Sequence, residues 1–186
     1  MITPYAQLDA WVDAHFDEEV RFLQALVQLP TDTPPGDNAP HAERTAELLH
    51  EFGFEAEKHA VPDWAVQEHG LASITNLIVR RRYGEGPTIA LNAHGDVVPP
   101  GDGWTHDPYG GEIEEGRLYG RASAVSKSDF ATYSFAARAL ESLQAPLRGG
   151  NAGISHNPLE TITSDDAELC VRAFQQLLID AAEAAP

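Results

Sequence analysis

Thr88-Ile-Ala-Leu-Asn-Ala-His94-Gly-Asp96-Val-Val-Pro99 sets an apolar run against an abrupt polar turn. Its first six residues form the most apolar strand candidate of the chain, short and preceded by the turn-forming Tyr83-Gly-Glu-Gly-Pro87. Such a run suits a central strand buried on both faces. Where it ends, His94 and Asp96 stand two residues apart at the start of a loop. In open α/β sheets ligands bind beyond the carboxyl ends of the strands, so a site is expected here. A histidine can offer one ring nitrogen to a metal while a nearby carboxylate holds the other. His94 is therefore a candidate ligand and Asp96 a candidate orienting group. Taken alone, the pair reads equally well as a hydrogen-bonded loop histidine and its neighbour.

Upstream, Leu8, Trp11, Val12, Phe16, Val20, Leu23, Leu26 and Val27 recur mostly at spacings of three and four, which predicts a helix between Gln7 and Leu29 that ends before Pro30. Residues 31–38 are dense in Thr, Asp, Pro and Gly and read as a loop. A second helix is expected from about His41 to Phe52, closed by Gly53. Phe54–Ala60 and Asn76–Arg82 read as strands. Downstream, Gly110–Tyr119 reads as a hairpin turning at Glu114-Glu115-Gly116, followed by a long helix from about Lys127 to Leu143. Residues 144–155 carry Pro146, Gly149, Gly150 and Gly153 and read as a loop. A last helix is expected from Ser164 to about Ala182, with Ser164 as cap and Asp165 and Asp166 in its first turn.

The 186 residues suit one compact domain. Twelve Lys and Arg against 29 Asp and Glu give a formal charge of −17, which repels phosphate backbones and anionic membrane surfaces. Neither nucleic acid nor membrane is an expected partner, and Arg80-Arg81-Arg82 reads as a solvated strand end. The single cysteine, Cys170, excludes an intramolecular disulfide and reads as a small apolar residue within a helix. No run approaches the ~20 apolar residues of a membrane span, and the first residues lack the order of a signal peptide, so a cytoplasmic protein is expected.

After the His94 motif come Gly103-Trp104-Thr105-His106-Asp107-Pro108-Tyr109, then Gly116-Arg-Leu-Tyr-Gly-Arg121, then Lys127 opening a helix. This series, in this order, resembles the M20 family of zinc metallopeptidases and amidohydrolases, most specifically from His94 to Leu143. The resemblance implies an α/β fold, a mixed sheet flanked by helices, of zinc-exopeptidase type. It makes His94 the first zinc-ligand histidine and Asp96 the neighbouring active-site aspartate, the catalytic residue of the pair. Gly153-Ile-Ser-His156-Asn-Pro-Leu-Glu160 is similar to the family's carboxyl-terminal histidine motif, with His156 matching the second metal's ligand. Zinc is the implied metal, with cobalt or manganese as alternatives, and a small amide or peptide the implied substrate. Without the resemblance, His156 reads as an exposed loop residue. Trp104 and Tyr109 read equally as cleft lining and as a packed turn that includes His106.

The chain departs from the family pattern twice. The run that carries the family's metal-bridging aspartate, Gly-Arg-Gly-x-x-Asp-x-Lys, reads here Gly120-Arg-Ala122-Ser-Ala-Val125-Ser-Lys127. Ala122 replaces the second glycine, and Val125 has no lone pair for a metal. Asp129, one turn on, reads as a helix-start acid stabilised by the dipole. The strand ending in a Glu-Glu pair that the resemblance implies after the long helix is also missing. Leu147-Arg148-Gly149-Gly150 looks like its lead-in, and Asn151 begins what looks like the family's last segment. Residues 1–148 thus read as the N-terminal part of a catalytic domain without its lid domain, 149–152 as a junction, and 153–186 as the histidine loop and last helix. Two ligand histidines, with Asp96 orienting one of them and not itself a ligand, fall short of the three protein ligands usual for one catalytic zinc. Glu160 and the Asp165-Asp166 pair fit a helix lead-in better than a ligand set. Three readings follow: a metal-dependent amide hydrolase, a non-catalytic scaffold of the same descent, and a site completed by a second chain. Loss of strands would expose a sheet edge and invite self-association.

Overall fold

The computed structural model describes residues 4–83, 89–144 and 151–156. Helix α1 spans Pro4–Val27, α2 Ala39–Glu51 and α3 Asp63–Glu68; strands β1, β2 and β3 are Ala56–Ala60, Thr75–Arg82 and Ile89–Ala93. The hairpin strands β4 and β5 are Glu112–Glu114 and Arg117–Tyr119, helix α4 is Lys127–Ser142, and β6 is Asn151–His156. The expected elements up to Leu143 are present within a few residues of their predicted ends. Pro4 sits at the start of α1, where a missing N–H costs nothing, and α1 stops before Pro30. Helix α2 ends as expected: Gly53 takes φ 78°, and the N–H groups of Gly53 and Phe54 donate to the carbonyls of His50 and Leu49. Helix α3 was not foreseen, because six residues are too few to show a helical period. The predicted helix over 164–182, with Asp165, Asp166 and Cys170, lies outside the described residues, as do the bulk of the 83–87 turn, the 149–150 part of the junction, and Glu160.

Phe22, Leu26, Leu49, Phe54, Phe130 and Phe135 are buried and share a cluster with Val79 of β2 and Ala93 of β3, so the helices close on the sheet through one aromatic core. Phe52 and Phe135 meet edge to face at 5.2 Å, and the Arg138 guanidinium lies 4.1 Å from the centre of the Phe52 ring. Each buried Phe contributes about 1.5–3 kcal/mol through its area alone. The arginine run is paired: Arg80 Nε donates to Glu57 at 2.9 Å, and Arg81 lies over the Phe54 ring and against Glu141.

The larger sheet has the order β1-β2-β6-β3. Strand β6 runs antiparallel to β2 and parallel to β3. Parallel neighbours need a crossover, and α4 provides it between β3 and β6. Two expectations change here. Residues 151–156 are a strand, not part of a glycine-rich loop, because pairing on both sides outweighs the weak strand propensity of Asn-Ala-Gly-Ile-Ser-His. Among the described residues, β6 then takes the central place and leaves β3 at the end of the sheet. β3 is accordingly buried on one face only, with Leu91 and Ala93 buried and Ala90 and Asn92 exposed.

Candidate functional site

The parallel pair β3 and β6 ends on one side of the sheet, and both candidate metal histidines arrive there. Ala93 is the Cα partner of His156, so the strand register sets His156 level with the residue before His94. That is the position at which a parallel sheet offers ligands a crevice. Local composition alone places His156 in an exposed loop; its place at the end of a strand follows from the pairing of β6.

Around His94 the backbone is fixed from several directions. Thr31 Oγ1 donates to the Gly95 carbonyl at 2.6 Å, and the N–H groups of Thr33 and Val97 pair with the carbonyls of Val97 and Thr31. The 31–38 loop, which breaks regular structure, thus acts as a clamp on the turn after β3. Ser126, at the start of α4, accepts from the His94 N–H at 3.3 Å and donates its own hydroxyl to Asp129 Oδ2 at 2.7 Å. Lys127 is completely buried and donates through Nζ to the carbonyls of Leu26 and Leu29 at 3.0 and 2.6 Å. Those carbonyls lie at and just beyond the C-terminal end of α1, so one lysine ties α4 to the chain that enters the clamp. Burial pulls its pKa down to about 8 against the opposing pull of Asp32.

The side chain of His94 has a defined orientation. Nδ1 lies 3.0 Å from the Asp96 carbonyl oxygen and 3.3 Å from Asp96 Oδ1. One N–H directed at two acceptors selects the Nδ1–H tautomer, which puts the lone pair of the neutral ring on Nε2. The Asp96 carboxylate raises the His94 pKa most, with partial burial opposing it. Asp129 is half-buried; desolvation raises its pKa while the Ser126 hydroxyl lowers it. It is thus held in the α4 cap by Ser126. Among the described residues, His94 belongs to no set of three ligands whose donor atoms lie within 4.8 Å of one another.

Ala122 takes φ 68°, the left-handed conformation that favours glycine, which explains why a glycine suits this position in the run. Trp104 donates Nε1–H to the Pro100 carbonyl at 2.9 Å, the arrangement of a packed turn. His106 does not belong to that turn alone. Its ring stacks on Tyr119 of β5 at 3.8 Å, a contact between segments that no local spacing announces.

Residues 90–151, which contain β3, the His94 motif and α4, match the model of peptidase family M20/M25/M40. Over 159 residues, 82% of the chain, the sequence is 38% identical to a succinyl-diaminopimelate desuccinylase of Nitrobacter hamburgensis, and covers 37% of that protein. Human carnosine dipeptidase 1 superposes with a TM-score of 0.63 at 21% identity over 94% of this chain and 39% of the other. An M20 family metallo-carboxypeptidase of Sulfolobus solfataricus superposes with a TM-score of 0.60 at 18% identity, over 77% of this chain and 30% of its own. At those identities the two structures speak for the fold alone. The chain spans little more than a third of the length of the curated relatives it matches. From β3 through α4 the chain matches the sequence pattern of peptidase family M20/M25/M40, and its fold is the one shared with these two solved structures.

Proposed function

We propose that the chain carries part of the site of an M20-type metal-dependent hydrolase that cleaves amide or peptide bonds of small substrates. The observation that carries this reading is the His94–Asp96 pair at the carboxyl end of β3, with Asp96 against Nδ1 and His156 one strand away. A clamped Nδ1 leaves Nε2 as a metal-binding lone pair, so the imidazole fits a borderline-soft divalent ion. His94 and His156 would hold zinc, or cobalt or manganese in its place, and Asp96 would keep the His94 ring in its tautomer. The chemistry a bound metal supplies is polarisation of the amide carbonyl and a water whose pKa falls towards ~7. The relatives' name makes N-succinyl amides the first substrate class to test.

Hydrolysis of N-succinyl-diaminopimelate by the zinc-loaded chain, followed as succinate release, tests this directly. Turnover that disappears with a chelator and with His94→Ala, both leaving the fold intact by circular dichroism, is the expected result. Zinc-loaded chain without turnover would instead favour a non-catalytic scaffold of M20 descent. That second reading draws on Val125, which stands where the resemblance implies a bridging aspartate, and on Asp129, which is engaged by Ser126. If a second copy completes the site or pairs along β3, turnover and sedimentation should both depend on chain concentration.

A further inference from the structure

We propose that His106, Glu112 and Glu114 form a second, surface site for a divalent transition-metal ion of the zinc type, separate from the His94 edge. One ring nitrogen of His106 and one carboxylate oxygen from each glutamate lie within 4.8 Å of one another. Glu112 and Glu114 are two apart on β4 and so project from the same face of the hairpin. Register pairs Glu112 with Tyr119, whose ring carries the His106 imidazole stacked at 3.8 Å and 8°. The third ligand is therefore set over the same face by a rigid ring contact.

The His106 nitrogens have different neighbours. Nδ1 meets the Thr105 hydroxyl at 3.0 Å, and Nε2 faces Glu114 Oε2 at 3.4 Å. That second distance is long for an N–H···O bond, which falls near 2.7–3.2 Å. It matches two ligands sharing one tetrahedral ion, because bonds of about 2.0–2.2 Å place neighbouring donors about 3.3–3.5 Å apart. A side chain at Gly110 would crowd Glu112 Oε1, with a Cβ only 3.3 Å from it, so glycine leaves the carboxylate room to turn inward. One imidazole nitrogen and two carboxylate oxygens suit zinc, copper or nickel better than magnesium or calcium, with a water in the open position. The turn at Glu115 and Gly116, both at positive φ, keeps the hairpin tight enough to hold the pair. A bound ion would tie residues 105–106 to the β4–β5 hairpin.

Zinc chloride titrated into the full chain, followed residue by residue through histidine ¹⁵N–¹H correlations, tests the proposal. The expected result is a saturable shift of His106 Nε2 that persists in His94→Ala and weakens at least about tenfold in Glu112→Gln and in Glu114→Gln, as loss of one of three protein ligands implies. The near-isosteric glutamines should leave the hairpin folded, and the Tyr119 ring resonances report whether the stack survives. A His106 signal that does not respond to zinc, or that responds in both glutamine variants as strongly as in the unaltered chain, would overturn the proposal.

Discussion

Around Phe135 the helix layer is closed on all sides: Phe22 and Phe52 meet its ring edge to face, and Arg138 lies 4.7 Å from its centre while pairing with Glu18. At the carboxyl edge of β3 the opposite holds. His94 and Asp96 are partly exposed, Asp129 is half-buried with a raised pKa, and among the described residues Asp96 Oδ1 has only the long contact to His94. The core is packed to hold shape and the edge keeps polar groups in reserve. Stability and chemistry therefore reside in different residues, and substitutions should separate them.

The largest effect belongs to the core. Phe135→Ala should cost about 3–5 kcal/mol in urea unfolding, through lost burial and a cavity that the stiff surroundings cannot fill. Metal uptake per folded chain should stay unchanged; a parallel loss of both would break the separation.

Lys127 joins the two regions and gives the next effect. Its folded pKa of about 8 lies below the ordinary 10.5, so between those values the unfolded chain binds more protons than the folded one. Stability contributed at this position should rise with pH across that window, by up to about 3 kcal/mol, and be constant below it. Comparing unfolding of the unaltered chain with Lys127→Met from pH 7 to 10.5 isolates the contribution. Below pH 8 the variant itself should lose about 1–3 kcal/mol, because the Leu26 and Leu29 carbonyls lose their donor. A stability difference that does not change across the window would contradict a buried charged amine.

The smallest effect is a gain. Ala122→Gly relieves a left-handed alanine and should stabilise by up to about 1 kcal/mol, the strain of roughly 1–2 kcal/mol being partly offset by glycine's entropy. Thermal unfolding would show it, and a loss of stability would mean that the buried Ala122 methyl matters more than its φ.

Local patterns gave α1, α2, α4 and the hairpin because their signals are local: apolar spacing for α1 and α4, Gly53 as a stop, and Glu115-Gly116 as a turn. His94 and Asp96 were legible for the same reason, since both lie within two residues of one strand end. What eluded the sequence was long-range. Pairing with β2 and β3 turned a glycine-containing stretch into β6, which, among the described residues, moved β3 from the expected centre of the sheet to its end. The stacking of His106 on Tyr119 depends on segments brought together only by the fold. Thr31 and Lys127 act through backbone carbonyls, which carry no side-chain signature at all.

The most direct test of the His94 edge as a metal site is zinc content per folded chain in a Glu114→Gln background, which removes the hairpin's contribution. About one zinc per chain after dialysis, lost in both His94→Ala and His156→Ala, is the expected result. Zinc retained equally by all three proteins, or absent from all of them, would contradict it.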